Sequence, residues 1–461
     1  MTYTEFLEGK LILRRPSGID AKVQNTALFD WQKAVVDWSL ARGKSALFED
    51  CGLGKTAQQL CWAQEISRET KRPVLILAPL AVSAQTRREG EKFGVDVTVC
   101  ETQNDVESGV NITNYEKLPH FDARAFGGVV LDESSILKAY MGKTKRMICD
   151  MFCDTPYRLA CTATPAPNDL MELLNHAEFL GIMRSSEALS VWFIADQSDS
   201  GTYKLKGHAE EDFWRWVASW AVCIEKPSDI GYQDAGFVLP PLRERDVIVP
   251  VSSVSEDYES GFLREVDMSA TGFFKERRRT TAARAQACAE IVNADAQQHL
   301  VWCGTNEEAD ALKRLIPNAV EVRGSDKAQR KEDAAIAFAD KKTRVLISKP
   351  SIFGYGLNFQ NCASAVFCGL DYSYENYYQA VRRLYRFGQT RPVEIARVLG
   401  STEKSILDVI NKKQRQKADM TASMAVHMRD LQTQSLHGHG FKLCLDTPRV
   451  RVPEWLRSET A

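Results

Sequence analysis

The sequence predicts an α/β protein of two parallel-sheet lobes, with an insertion between them and a helix near the C-terminal end. Three observations carry this expectation. Apolar runs of strand length alternate with helical stretches twice, over residues 1–182 and again over 286–400. The first series contains a strand, a glycine turn and a helix in immediate succession at Ser45–Gln58, SALFEDCGLGKTAQ. The second series has no such turn, but sets Arg383 and Arg386 three apart, on one face of a helix. A single phosphate-binding turn in one lobe and an arginine pair in the other point to a nucleotide triphosphate held in the cleft between them.

Ser45–Phe48 reads as a buried strand, Gly52 and Gly54 flank Leu53, and Lys55-Thr56 opens a helix with Leu60, Ala63 and Ile66 on its apolar face. Glycines let backbone N–H groups approach phosphates, and the helix N-terminus adds partial positive charge. Lys55 can neutralise terminal phosphate oxygens, and the Thr56 hydroxyl can ligate Mg²⁺. The fuller pattern GxxxxGK[ST] asks for glycine at position 49, where this chain has Glu49. Upstream, Gln32 precedes a helical pattern. Its amide can read adenine through paired donor and acceptor groups, or it is simply an exposed helix residue, the reading that position alone favours.

Downstream, Val74–Leu80, Asn111–Tyr115, Gly128–Glu133 and Tyr157–Thr164 read as strands of the first lobe. The third ends in Asp132 and Glu133 at the strand edge where parallel sheets bind ligands. Asp132 suits Mg²⁺ held through water, and Glu133 suits activation of the attacking water. The hydroxyls of Thr162 and Thr164 either sense the terminal phosphate or cap the next helix. Residues 183–285 change character: Trp192, Trp214, Trp216 and Trp220 gather among acidic and glycine-containing turns, and Pro240-Pro241 breaks the chain. This reads as an interlobe insertion whose tryptophans form its small core rather than a base-stacking platform. Lys275, Arg277, Arg278, Arg279 and Arg284 form either a solvated helix face or a phosphate-contacting patch. The second lobe is expected to use strands at His299–Cys303, Ala319–Val322, Arg344–Ser348, Ala365–Cys368 and Val393–Val398. Residues 401–461 read as a helix over Thr402–Lys417 and a loosely packed tail, in which His437 and His439 are solvated rather than metal-bound.

Composition narrows the classes. With 59 Lys+Arg against 61 Asp+Glu, a nucleic-acid surface has to be a local patch. The opening MTYTEFLEGK has neither a basic n-region nor an apolar h-region, and no run of about 18 apolar residues follows, so neither a signal peptide nor a membrane span is expected. Twelve cysteines without CxxC pairs suit buried thiols in a reducing compartment, and a zinc site is not expected. A cytoplasmic location follows as an expectation.

Taken together, the order of motifs resembles that of helicase superfamily 2, and within it the Swi/Snf-type ATPases, across residues 29–415. The most specific piece is QAVRRLYRFGQ at 379–389, similar to the family's motif VI. EDCGLGKT at 49–56 resembles motif I, LDESS at 131–135 motif II, TATPAPND at 162–169 motif III and GYGLN at 354–358 motif V. The resemblance implies two RecA-like lobes, with ATP and Mg²⁺ as ligands. It implies adenine contact by Gln32, nucleotide contact by Gly356 and Gln379, catalysis by Glu133 and triphosphate contact by Arg383 and Arg386. Pro79–Gln85 and NITNYEK at 111–117, which includes Lys117, resemble the family's DNA-contacting motifs. With Arg277, Arg278, Arg279, Lys412 and Lys413 they make a candidate surface for duplex DNA bound without sequence preference. The terminal helix resembles the family's brace. Departures are Ser135 and Tyr385, where histidine is usual, and the lack of an arginine pair before Asp229. The small size hints at a bacterial or phage source, in which case the location is the host cytoplasm. A strand-separating or branch-migrating helicase remains open as an alternative to a duplex translocase. A nucleotide-gated scaffold also remains, although the complete Lys55, Glu133 and Arg386 set argues against it.

Overall fold

The computed structural model describes residues 17–79, 82–139, 142–196, 203–250, 270–353 and 358–436. Two parallel sheets organise them. The first contains β1 (Lys44–Glu49), β2 (Val74–Ala78), β3 (Val97–Val99), β4 (Val110–Asn114), β5 (Gly128–Asp132), β6 (Tyr157–Thr162) and, beyond a small antiparallel pair β7 (Phe193–Ala195) and β8 (Tyr203–Leu205), β9 (Ala221–Ile224). Its order is β3-β4-β2-β5-β6-β1-β9. The second contains β10 (Leu242–Val249), β11 (His299–Cys303), β12 (Val320–Glu321), β13 (Val345–Ser348), β14 (Ser364–Cys368) and β15 (Val393–Gly400), in the order β10-β15-β14-β11-β13-β12.

The inner strands, such as β2, β5, β11 and β13, are near-continuous apolar runs because both faces of the sheet are covered there, whereas the edge strand β10, LRERDVIV, is only half-buried. The pleat then sorts neighbours to opposite cores. In β2, Leu75 and Leu77 enter one core with Phe48, Leu131 and Ala160. Val74, Ile76 and Ala78 enter the other with Leu60, Ile66 and Val130. Helices Lys55–Thr70 and Asp30–Arg42 close that second face and bury Trp62, Val35 and Leu40.

The region expected as a separate insertion, 183–285, is divided between the lobes. β9 pairs in parallel with β1, with Ala46 opposite Ala221 and Glu49 opposite Ile224. The helix Glu210–Ala218 brings Phe213, Trp214 and Trp216 into the core of the first lobe, where they meet Trp220. The tryptophans are a core as expected, but the first lobe's own. At the other end, β10 adds to the second sheet beside β15, and helix Ala270–Asn293 packs Ala285, Cys288 and Val292 under the same sheet. The second lobe therefore begins at Leu242, well before residue 286.

The cations of that helix, expected on one solvated or phosphate-contacting face, are divided between core and surface. Arg277 and Arg284 are buried, and both grip Glu308: Arg277 Nε and Nη2 donate to its two carboxylate oxygens at 2.8 and 3.0 Å, and Arg284 Nη1 donates at 2.8 Å. Burial alone would raise the Glu308 carboxyl, but the Arg277 and Arg284 guanidiniums hold it below the ordinary carboxylate range. Arg277 is thus spent inside the lobe and is not available to DNA, while Arg278 and Arg279 face solvent. Removing the shared carboxylate would leave two buried cations without it. Glu308→Ala is expected to cost about 3–5 kcal/mol in denaturant unfolding, against about 0.5 kcal/mol or less for exposed Arg278→Ala. Similar midpoints for the two variants would refute the network's structural role.

The C-terminal helix, Lys404–Leu436, runs well past Lys417 because its second half has a place to pack. Ile406, Leu407 and Ile410 belong to a core of the second lobe, whereas Met424 and Met428 enter the core of the first. The helix straps the lobes together. His437, His439 and Gly356 lie outside the described residues. No helix among the described residues is long and apolar enough to cross a membrane.

Candidate active site

The C-terminal ends of β1 and β5 meet at a cleft that the second lobe closes. The turn after β1 is held by Gly52 and Gly54, both left-handed at φ 96° and 84°. At Gly52 a second constraint applies, since a Cβ there would sit 2.9 Å from the backbone N of Phe387 in the opposite lobe. At Gly54 a Cβ would sit 2.4 Å from Gln32 Nε2. Gln32 is buried, not exposed. Its Nε2 donates to Leu53 O at 2.8 Å, and its Oε1 accepts from Phe29 N at 3.0 Å, so the amide braces the turn from behind. Glu49, at the position where glycine was sought, ends β1 with a fully buried side chain that accepts from Gln58 Nε2 at 2.8 Å. Burial pushes its carboxyl up to about 7.

Lys55 opens the helix Lys55–Thr70, and its Nζ donates to Glu49 O at 2.8 Å and Asp50 O at 3.1 Å. Thr56, Asp132, Glu133, Arg383 and Arg386 line the same cleft as Lys55, Gly52 and Gly54. Asp132 accepts from Gln59 Nε2 at 2.8 Å, and its backbone oxygen accepts from Tyr115 Oη at 2.7 Å. Burial raises the Asp132 carboxyl, with Gln59 and Lys55 opposing. Glu133 is left-handed at φ 54°, a conformation rare outside glycine. Its Oε2 lies 3.3 Å from Gln379 Nε2 and 3.5 Å from Thr162 Oγ1. Burial, and then the neighbouring Asp132 carboxylate, push Glu133 up to about 7. Thr162 thus bonds the carboxylate and also accepts from Thr164 N at 3.1 Å, rather than capping a helix.

From the second lobe, Arg383 Nε donates to Gln379 O at 3.2 Å, and Arg386 donates to Asn358 Oδ1. Burial and then the adjacent Arg383 lower Arg386 to about 10, which leaves it a cation at neutral pH. Arg382, next to Arg383, pairs instead with Asp50 of the turn. Tyr378 also donates to Asp50, and Lys417 of the C-terminal helix approaches it at 3.9 Å. Tyr385, where histidine was sought, packs its ring against the Arg382 guanidinium at 5.3 Å.

Sequence reasoning did not single out Gln59, Asp50 or Thr86, and it put Gln85 and Tyr115 in DNA-contacting stretches, whereas Gln85 lines the cleft and Tyr115 bonds Asp132 O. Gln85 and Thr86 line the cleft, and each carries a buried side-chain oxygen without a hydrogen-bond partner among the described residues. The four-residue step from Lys55 to Gln59, one helical turn, was the available signal for Gln59. On the candidate DNA surface, Lys412 is exposed. Lys413 instead bridges the lobes, donating to Asn168 Oδ1 at 3.0 Å and Tyr372 O at 3.2 Å, and Lys117 pairs with Glu101.

Comparisons with known proteins agree with this architecture. Residues 31–206 match the SNF2-related domain and residues 283–388 the helicase conserved C-terminal domain. The chain is 22% identical to the SWI/SNF chromatin-remodeling complex subunit snf22 of Schizosaccharomyces pombe, over 85% of this chain and 28% of that protein. It is 23% identical to the SWI/SNF-related matrix-associated actin-dependent regulator of chromatin subfamily A-like protein 1 of Bos taurus, over 82% of this chain and 43% of the relative. The chain therefore spans less than half the length of either relative. Putative protein p41 of Acyrthosiphon pisum secondary endosymbiont phage 1 is 26% identical over 32% of this chain and 38% of its own. Among solved structures, the Sulfolobus solfataricus SWI2/SNF2 ATPase core in complex with dsDNA covers 92% of this chain and 98% of its own, at 18% identity and a TM-score of 0.41. With both domains in tandem on two parallel-sheet lobes, the chain belongs to the Swi/Snf-type ATPases of helicase superfamily 2.

Proposed function

We propose that the protein hydrolyses ATP in the interlobe cleft and uses the resulting lobe motion to track along duplex DNA. The observation that carries this reading is the convergence of Lys55, Thr56, Asp132 and Glu133 from one lobe with Arg383 and Arg386 from the other in a single cleft. Lys55 exchanges backbone oxygens for the terminal phosphates, and the helix N-terminus behind it favours their charge. The hard oxygen donors of Thr56 and Asp132 fit Mg²⁺, which neutralises phosphate charge when bound. Glu133, raised to about 7 and aimed by its left-handed backbone, takes the proton of the attacking water. Gln32 fixes the turn with both ends of its amide, its adenine contact resting on the resemblance alone, and Gln379 ties Glu133 to the second lobe. Gly356 is assigned to the nucleotide by resemblance alone.

Family membership and the exposed Arg278, Arg279 and Lys412 support phosphate contacts with duplex DNA that carry no sequence preference. Duplex DNA is accordingly expected to stimulate ATP turnover more than equal masses of single strand or RNA, with binding that weakens steeply as salt rises. The protein should displace the third strand of a triplex while leaving a forked duplex closed at the same ATP turnover. Fork unwinding without triplex displacement would establish a strand-separating helicase instead, and turnover indifferent to every nucleic acid would refute the motor reading.

A further inference from the structure

The helix Glu172–Phe179 contains a histidine that the hydrolytic reading does not use. His176 has no exposed surface. Its Nδ1 lies 3.2 Å from Glu172 O, and its Nε2 lies 3.1 Å from Ser134 Oγ. A carbonyl only accepts, so Nδ1 carries the proton and Nε2 is left to accept the Ser134 hydroxyl. The ring meets Phe48 of β1 edge-on, with centroids 5.1 Å apart and planes at 81°. Burial lowers the imidazole to about 4, which keeps it neutral at physiological pH, while the two hydrogen-bond partners select the tautomer.

The position of this contact gives it consequence. Ser134 directly follows Glu133, whose left-handed backbone is unfavourable outside glycine and persists only where surroundings over-determine it. On one side of Glu133, Tyr115 Oη fixes Asp132 O at 2.7 Å. On the other, the histidine fixes Ser134, and its neighbour Asn175 donates through Nδ2 to Leu137 O at 2.8 Å. One helical turn therefore holds the chain leaving the carboxylates at two points, and through Phe48 it also touches the strand that delivers the phosphate turn.

We propose that His176 is a positioning residue for ATP hydrolysis: by accepting the Ser134 hydroxyl it fixes the left-handed turn that aims the Glu133 carboxylate into the nucleotide cleft. The role rests on the ATPase reading given above. It differs from that of a buried histidine that merely fills the core, because its loss should be felt in turnover rather than in nucleotide binding.

The test compares Ser134→Ala, Ser134→Thr, His176→Leu and the Ser134→Ala/His176→Leu pair with wild type, at saturating ATP and duplex DNA. Ser134→Ala and His176→Leu are each expected to lower kcat about ten- to a hundredfold, with KM for ATP and the affinity for a fluorescent ATP analogue within about twofold. The double variant should be no slower than the slower single, because both remove one contact. Ser134→Thr, which keeps the hydroxyl, should retain most of the turnover. Imidazole ¹⁵N spectra should show His176 as the neutral Nδ1–H tautomer in wild type, with its Nε2 resonance displaced in Ser134→Ala. Wild-type kcat in Ser134→Ala, multiplicative losses in the double variant, or an Nε2–H tautomer would each overturn the role. Should His176→Leu fail to fold, the alanine and threonine variants at 134 decide alone. Wild type that turns over no ATP would overturn the ATPase reading and this role with it, whereas active wild type beside an undiminished Ser134→Ala overturns the positioning role only.

Discussion

Lys55→Ala is expected to abolish tight ATP binding and turnover together, whereas Glu133→Gln should bind ATP and hold it, with kcat lowered about 10²–10⁴-fold. The difference follows from where each group acts. The Lys55 ammonium sits on the inner rim of the turn, 2.8 Å from Glu49 O and 3.1 Å from Asp50 O, at the N-terminus of the helix it opens. In the proposed role its partners on binding are ground-state phosphate oxygens, so its loss should weaken every bound state. Glu133 lies across the cleft at the end of β5, beside Asp132 and under Gln379. In the proposed role its carboxylate acts on water, and the isosteric amide keeps the hydrogen-bonding shape while losing the base. Phosphate release gives kcat, and titration with a fluorescent ATP analogue gives affinity. Equal loss of affinity in the two variants, or a Glu133→Gln protein that turns over at the wild-type rate, would remove Glu133 from the role of base.

How far the sequence carried can be judged element by element. The strands were readable because parallel sheets covered on both faces demand unbroken apolar runs, and VLILA in β2 and GVVLD in β5 are such runs. The phosphate turn and the acidic pair were readable because their chemistry is local, a few consecutive residues at a strand end. The partition of 183–285 was not, since β9 is four residues long and only its pairing with β1 distinguishes it from a loop. Likewise a run of cations does not say which face of its helix is inward. The seven-residue spacing of Arg277 and Arg284, two turns on one face, was the available hint that these two turn away from Arg278 and Arg279. Lys413 read as a free cation because its acceptors, Asn168 and Tyr372, belong to different lobes. The grip of Tyr378 on Asp50 joins residues 328 apart and leaves no local trace.

Arg386→Ala is expected to lower kcat by roughly 10³–10⁵ while nucleotide affinity changes only severalfold. Arg386 reaches the cleft from the opposite lobe, bonded to Asn358, with its own Cβ 3.3 Å from where a side chain at Gly52 would begin. The guanidinium therefore contributes only when the lobes are together, the geometry in which the phosphoryl group leaves. Buried Arg383 and half-buried Arg386 lie side by side, and the lowering of Arg386 to about 10 comes first from desolvation and then from the repulsion between them. Negative charge building on phosphate oxygens between them relieves that repulsion most at the transition state, so the pair acts on kcat more than on binding. Arg383→Ala should lose turnover similarly and loosen ATP somewhat more, because its buried side chain lies on the Glu133 side of the cleft and its cation opposes the rise of the Glu133 carboxyl. Arg382→Ala provides the contrast: its guanidinium pairs with Asp50 rather than facing phosphate, so its loss should weaken lobe closure and cost about tenfold or less in kcat. Single-turnover phosphate release at saturating ATP and duplex DNA separates these outcomes. Undiminished saturated turnover in Arg386→Ala, accompanied by weakened nucleotide binding, would place the residue on the ground-state phosphates and refute its action across the cleft.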